Sequence, residues 1–291
     1  MSMLWLCRTR IDLLQDIVAL QSEMHQPRGI HFKALNALLR RAHENSTLCG
    51  LHFGDVGPLR RLVQVTDSGH ITSTSCYPQE GRIVVLARDH PEIRHGTSER
   101  YYGRDTSIFG GPCCMLFVNS KRAQRVSWST SHSETNPAVS CAAVANIIAS
   151  RITELEYYNV HGRHCTIRDL LHVDGASEHI VPTDMCTDAM NLFELVCHSK
   201  SLPNDKHHRV GVLALREDRV TRRLRHVIHI PTRSMLADQP TKRMISPVLM
   251  RLATPGNWRI QRPADLPVRI RRALRRPAAY TEKHLEENVF D

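Results

Sequence analysis

Near the N-terminus, apolar residues recur at helical spacing in two short runs. The first run occupies residues 11–24 and ends near Pro27, and the second occupies residues 32–42. Each run places its apolar side chains on one face, as expected of an amphipathic helix that packs against a neighbour. The pattern therefore predicts a helical hairpin at the start of the chain.

From Leu51 onward the pattern changes to short apolar runs that are typical of β-strands, with helical spacing returning between the later ones. The predicted strands are Leu62–Thr66, Arg82–Ala87, Cys114–Val118 with an extension towards Ser129, Ile180–Thr187 and Leu224–Ile230. The predicted helices are Val139–Tyr157, Ala189–Cys197 and residues 205–222. Because β-α-β steps favour parallel pairing and consecutive strands favour antiparallel pairing, this order predicts a mixed sheet flanked by helices.

Two stretches do not fit this alternation. Residues 88–112 are polar and contain glycine, which indicates a long loop or insertion, and the chain beyond Thr254 is rich in Arg and Pro. We therefore divide the sequence into a helical segment over residues 1–56, an α/β domain over residues 57–250 and a basic tail over residues 251–291.

Composition adds a class of partner. The 291 residues are 41% hydrophobic, enough for a sizeable core, and carry a formal net charge of +10. Basic residues cluster at 121–125, 222–225 and 269–276. A single cluster of this kind can be a solvated face, but three favour nucleic acid. With only 5% aromatic residues, contact with the phosphate backbone is expected rather than base stacking.

Other classes are disfavoured. The nine cysteines include no C-x-x-C pair, which argues against a disulfide framework or a zinc ribbon and implies a reducing compartment. His161, His164 and Cys165 resemble half of a zinc site without a second half. The longest apolar run, residues 138–149, is too short to span a membrane. We therefore expect a cytoplasmic or nuclear protein with no membrane partner.

Four acidic residues lie at predicted element boundaries. Asp67 ends the first strand, Glu134 begins the first long helix, Asp188 ends the fourth strand and Asp238 follows the fifth. Strand ends of one sheet can bring such side chains together, and convergent carboxylates are what two Mg²⁺ ions need for phosphodiester hydrolysis. The set predicts a metal site for phosphate chemistry.

Each acid also has a purely structural alternative. Asp67 fits a turn, Glu134 fits a capping box with the serine three residues before it, and Asp188 and Asp238 fit helix N-caps. If Pro137 takes the first helical position, Glu134 falls in the preceding loop.

Asp184 lies inside the fourth predicted strand and is a rival ligand to Asp188. A buried aspartate without a partner would be costly there.

Several motifs together carry a family resemblance. The run from His229 to Lys242, His-Ile-Pro-Thr-Arg-Ser-Met-Leu-Ala-Asp-Gln-Pro-Thr-Lys, resembles the last motif of the ribonuclease H domain of copia-type retrotransposon polyproteins. Residues 187–193, 202–206, 121–134 and 79–86 resemble its third acidic motif, the following spacer, the Ser-Thr signature before the catalytic glutamate and the second strand. Residues 4–12, 31–40 and 50–53 resemble the last portion of the preceding reverse transcriptase. No Tyr-x-Asp-Asp motif is present, so DNA synthesis is not expected.

The resemblance implies a ribonuclease H-like mixed five-stranded sheet flanked by helices and preceded by a helical hairpin. It implies cleavage of the RNA strand of RNA:DNA hybrids, with two Mg²⁺ ions held by Asp67, Glu134, Asp188 and Asp238. Reverse transcriptase or other retroelement proteins are the further partners that it suggests. From charge alone, the basic residues expected to hold the hybrid are Lys121, Arg122 and Arg125.

Two alternatives remain open. One is a degenerate remnant that keeps the sheet and only binds nucleic acid, and the other is a basic interaction protein without nucleic-acid chemistry. The ribonuclease H-type endonuclease activity requires that the acidic site be intact.

Overall fold

A computed structural model describes residues 9–44, 50–69, 77–89, 110–124, 127, 129–170, 179–199, 201–242, 246–258 and 260. The chain begins with the expected helical hairpin. A 3₁₀ turn, Ile11–Leu13, leads into α1 (Leu14–Ser22), and α2 (Gly29–Glu44) runs back along it. Leu13, Leu14, Ile17 and Leu38 form the buried seam between them.

Within the described residues, the sheet has six strands in the order β5-β4-β1-β2-β3-β6. Their bounds are β1 Arg60–Gly69, β2 Gln79–Arg88, β3 Gly111–Arg122, β4 Thr183–Thr187, β5 His226–His229 and β6 Asn257–Trp258. β1, β2 and β3 form an antiparallel meander, β4 and β5 join the other side of β1 in parallel, and β6 pairs antiparallel with β3. The five predicted strands are present, and the two-residue β6 adds a sixth.

The part of the chain that the structure describes contains six further helices around this sheet. They are α3 (Thr130–His161), α4 (Ile167–Leu170), α5 (Met190–Cys197), α6 (Lys206–Val220), α7 (Asp238–Thr241) and α8 (Pro247–Ala253). Side chains alternate between the two faces of the strands, so that Leu62 packs towards α3 whereas Val63 packs towards α7 and α8. The sheet is therefore covered on both faces, which makes it the middle of three layers.

Helix α3 starts nine residues earlier than the predicted Val139. The hydroxyl oxygen of Ser129 accepts the backbone N–H of His132, which satisfies one of the free donors of the first turn. Pro137 lies inside the helix rather than at its first position. The helix continues through the proline, because Pro137 costs one intrahelical hydrogen bond while the cap and the burial of residues 132–135 stabilise the first turns.

By length and composition alone, α3 could cross a membrane, and it is the one such helix among the described residues. A single helix of this kind is weak support for a membrane span. Cys141, Ala145 and Ala149 of α3 are buried against the sheet, packed with Leu62 and Val84. The same composition therefore serves the core.

The predicted boundaries, insertion and tail compare with the structure as follows. Helix α8 crosses the predicted boundary at residue 250, and Trp258 is buried in the same core as β1. Residues 90–109 of the predicted insertion and residues 261–291 of the predicted tail lie outside the described residues. The six cysteines that the structure describes are free thiols.

Candidate active site

Two of the four acids are brought together by strand register. β1 and β4 are parallel neighbours in which Val65 is paired with Cys186. Two residues further along each strand, Asp67 therefore lies beside Asp188. β1 continues to Gly69, so Asp67 is inside the strand and not at its end as predicted, and it is 4% exposed. A buried strand position excludes the turn that was its structural alternative.

Asp238 reaches the same place because α7 lies directly on the sheet. It is the first residue of α7, and no side-chain cap bond marks that helix start. A Cβ atom on Gly81 would stand 2.8 Å from the carbonyl oxygen of Ala237, and one on Gly69 would stand 2.9 Å from that of Thr241. Only glycine allows this close approach of helix to strand. α7 is thus held against β1 and β2.

Glu134 enters from the second turn of α3 and is 5% exposed. It does not form a capping box, since the cap is Ser129 and the Glu134 carboxyl group accepts the backbone N–H of Ser68 in β1. Its Oε2 atom is buried without a hydrogen-bond partner. The loop placement that Pro137 suggested is therefore wrong, and an unpartnered buried oxygen points into the site.

Electrostatic coupling shows that the four acids share one small region. Burial, and then the charges of Asp67 and Asp188, raise the pKa of Glu134 from 4.5 to about 9. Burial followed by the charge of Asp67 raises the pKa of Asp188, with a further contribution from Asp238. Burial also raises the pKa of Asp238, where Asp67 acts in the same direction and Lys242 opposes it. Clustered carboxyl groups with raised pKa values are characteristic of functional sites.

Residues that the sequence prediction missed support these acids. The hydroxyl group of Thr241 donates to Oδ2 of Asp67, and the hydroxyl group of Thr232 bonds Asp188. Nε2 of His229 lies 3.1 Å from the backbone oxygen of Asp188. All three residues, like Lys242, lie inside the last motif of the family resemblance, so the motif itself contained the signal.

Among the described residues, Lys242 is the one positively charged side chain that lies among these acids. Its Nζ atom contacts Oδ1 of Asp238 one helical turn earlier and lies 3.6 Å from Oδ2 of Asp67. Partial burial lowers the pKa of Lys242, but the bond to Asp238 and the neighbouring acids outweigh this effect, so the pKa is raised. The ammonium group therefore stays charged.

Asp184 has a different role from Asp188. Its side chain is fully buried and lies 3.0 Å from Arg61 and 2.7 Å from Arg225, which also binds Asp89 at 3.0 Å. Burial raises the pKa of Asp184, but the hydrogen bonds and charge of Arg225 lower it further, so the net shift is downwards. At about 3.3 Å per strand residue, Asp184 lies roughly 13 Å before Asp188 along the chain. Asp184 is part of a buried ion network and lies apart from the other acids.

The predicted basic residues lie at the same end of the sheet as the acids. β2 pairs Gly81 with Asp67 on one side and with Ser120 on the other, and Lys121 and Arg122 follow Ser120. Two strand spacings separate β1 from β3, which is about 10 Å. Lys121 lies 3.6 Å from Glu80. The exposed Arg122 stacks over Tyr77, and Arg125 lies outside the described residues.

The donor chemistry suits a hard divalent cation. All four acids offer carboxylate oxygens, the ligand type that Mg²⁺ prefers, and Oε2 of Glu134 is buried and unpartnered. Across the residues that the structure describes, however, no three His, Cys, Asp or Glu side chains are already disposed to hold one ion. This includes His161, His164 and Cys165, the half zinc site. The residues therefore fit Mg²⁺ by donor type, and a bound ion would require that their side chains move.

Comparison with protein-family models and with curated proteins gives no match. Among solved structures, the N-terminal ribonuclease H domain of a Mycobacterium tuberculosis protein, solved as a fusion with maltose binding protein, is 10% identical and has a TM-score of 0.33, covering 62% of this chain and 90% of that chain. A ribonuclease H from the archaeon Halobacterium salinarum is 9% identical with a TM-score of 0.34, covering 62% and 93%. One isolated from compost by a metagenomic approach is 12% identical with a TM-score of 0.35, covering 65% and 98%.

These similarities carry no information about activity. The topology itself gives the fold class: a mixed sheet in which an antiparallel meander is extended by two parallel strands, with helices on both faces. This is the ribonuclease H-like α/β fold that the sequence predicted, with one additional short strand.

Proposed function

We propose that this chain is a ribonuclease H-like nuclease domain of copia-type retrotransposon origin that hydrolyses the RNA strand of RNA:DNA hybrids with Mg²⁺. The observation that supports this most strongly is the convergence of Asp67, Glu134, Asp188 and Asp238 from four separate segments, with one buried carboxylate oxygen left unpartnered. Such a group has no evident structural use, because buried carboxylates that repel one another destabilise a fold.

The protein's own residues would hold and orient the reaction. Asp67 inside β1, Asp188 beside it just after β4, and Asp238 on α7 would be the metal ligands, with Glu134 facing them from α3. Bound Mg²⁺ ions would supply an activated water and stabilise the leaving oxygen. Thr241 and Thr232 would keep the ligand oxygens of Asp67 and Asp188 oriented.

The nucleic acid would approach along the same end of the sheet. Lys121 and Arg122 lie about two strands from Asp67, so a hybrid backbone that contacts them would pass over the acids. Arg125 is included in this proposal from the sequence alone. We propose reverse transcriptase or other retroelement proteins as partners and the cytoplasm or nucleus as the location, on the strength of the motif resemblance.

A second candidate function is hybrid binding without cleavage. Two observations favour it: no three acidic side chains are already disposed around one ion among the described residues, and the ammonium group of Lys242 lies against two of the acids. The two candidates differ in one measurable property, Mg²⁺-dependent cleavage.

The test is incubation of the purified chain with an end-labelled RNA:DNA hybrid and Mg²⁺. We expect cleavage of the RNA strand by the unaltered chain and a loss of at least about a hundredfold in Asp188→Asn, because a metal ligand is removed. Asp55→Asn is the matched control. Asp55 is exposed before β1, and an asparagine there can still accept the N–H of Gly57.

The possible outcomes separate the candidates. No cleavage combined with salt-dependent retention of the hybrid would establish the binding remnant. Equal cleavage by Asp188→Asn and the unaltered chain would show that the activity does not come from this site.

A further inference from the structure

Lys242 lies between two acids of the candidate site, Asp67 and Asp238. It follows α7 directly, and its ammonium group contacts Oδ1 of Asp238 while lying 3.6 Å from Oδ2 of Asp67. The side chain is 43% exposed, whereas those of Asp67 and Asp238 are 6% and 13% exposed. One partly exposed cation therefore lies against two buried carboxyl groups.

The acids do not depend on Lys242 for their positions. Asp67 is fixed within β1 and its Oδ2 atom accepts the hydroxyl group of Thr241. Asp238 is fixed by α7, which is held against Gly69 and Gly81. Lysine, in contrast, carries a compact charge on a flexible stem whose head can move into water. If one group leaves this cluster, it is the ammonium group.

A divalent cation at this site would need the same oxygens. Carboxylate oxygens are the natural ligands of Mg²⁺. Those of Asp67 and Asp238 are the ones that Lys242 contacts. A divalent cation bound to these oxygens would repel the Lys242 ammonium group at a distance of a few ångströms. Binding of the metal and contact by Lys242 should therefore exclude each other.

We propose that Lys242 is the built-in counter-ion of the metal-free acids and that a divalent cation binds by displacing its ammonium group. This inference rests on the proposed function, since it assumes that the acids take up a metal. In this role Lys242 lowers metal affinity and keeps the metal-free protein folded, and it acts as a positioning residue rather than a metal ligand.

Two substitutions at this position separate displacement from simple support. In Lys242→Met a side chain of similar length has no charge to displace, so Mg²⁺ and Mn²⁺ should bind roughly two- to fivefold more tightly, the scale expected for a partly exposed charge contact. Lys242→Arg offers a forked group that holds carboxylates more firmly, so affinity should fall below that of the unaltered chain. If Lys242 merely supported the acids, the methionine variant would bind more weakly and the arginine variant about equally.

The experiment is calorimetric titration of the full chain with MgCl₂ and with MnCl₂, with thermal unfolding in EDTA as a second measurement. Lys33→Met, an exposed position in α2, is the control for loss of a lysine charge. We expect Lys242→Met to unfold at a lower temperature than Lys33→Met in EDTA. Bound metal should remove this difference in unfolding temperature. This readout does not depend on catalysis.

Failure of the inference and failure of the proposed function look different. If the unaltered chain binds metal and Lys242→Met binds it equally or less tightly, displacement is wrong while the metal site stands. If only Lys242→Met binds metal, displacement is supported in its strongest form. If neither protein binds metal at millimolar concentrations, the metal-dependent function and the displacement are both overturned.

Discussion

Replacing Glu134 with Gln should stabilise the metal-free protein at neutral pH. Glu134 is 5% exposed, and burial together with the charges of Asp67 and Asp188 raises its pKa from 4.5 to about 9. In the folded protein this carboxyl group therefore keeps its proton at a pH where the unfolded chain has lost it. Glutamine has nearly the same shape, is neutral at every pH and can still accept the N–H of Ser68.

The magnitude follows from this difference in pKa. A carboxyl group whose pKa is raised by folding contributes its full stability below the unfolded value of 4.5, and the stability is lost as the pH rises towards 9. Each pH unit in this interval costs about 1.4 kcal/mol. At pH 7 the interval is 7 − 4.5 = 2.5, so the free energy of unfolding should be lower by about 3 kcal/mol than without the titration.

Urea unfolding in EDTA across the range from about pH 5 to pH 8 measures the effect. We expect Glu134→Gln to exceed the unaltered chain by less than about 1 kcal/mol at pH 5 and by about 3 kcal/mol at pH 7. The matched control is Glu154→Gln, an exposed position of the same helix whose partner is Arg151. That variant should stay within about 0.5 kcal/mol of the unaltered chain.

A Glu134→Gln variant that is less stable at pH 7, or whose advantage does not grow with pH, would refute this reasoning. It would mean that Glu134 is solvated or paired in solution. In saturating Mg²⁺ the order should reverse, because the unaltered chain gains binding free energy through a carboxylate that the variant lacks.

Two further predictions concern the frame of the site. Asp184→Asn should lower the free energy of unfolding by about 3 kcal/mol in urea, because the buried Arg61 loses the charge of Asp184 and Arg225 retains only Asp89, while Mg²⁺ affinity stays unchanged. A variant that loses metal binding but not stability would make Asp184 a ligand after all. Gly81→Ala should lower the free energy of unfolding by about 1–3 kcal/mol and weaken Mg²⁺ binding in calorimetry, because the added Cβ meets the carbonyl oxygen of Ala237 at 2.8 Å and displaces α7. Unaltered Mg²⁺ affinity would show that α7 does not set the position of Asp238.

Much of the fold could be predicted from local pattern. The strands β1, β2, β4 and β5 and the helices α1, α2, α5 and α6 coincide with apolar runs of the right period, because burial of one face imposes that period on the sequence. The start of α3 was misplaced since Pro137 is a strong local signal, and it was overridden by the cap at Ser129. β6 is too short to have a period at all.

The candidate site shows the same division. The four acids could be chosen from their places at element boundaries and from the motif resemblance, because residue type and spacing are properties of the chain. Whether Asp184 or Asp188 faces the others could not be chosen, since that depends on the register between β1 and β4 and on the arginines that reach Asp184 from β1 and from the residue before β5.

Most of the elements, the candidate acids and the expected class of chemistry therefore follow from local features of the sequence. The packed structure was needed to see that Glu134 lies inside a helix, that two glycines admit α7 to the sheet and that Lys242 lies against Asp67. The physical reason is distance along the chain. Period and capping act within a few residues, whereas these contacts join residues more than sixty positions apart or depend on packing between elements, and the energy of such contacts exists only in the folded chain.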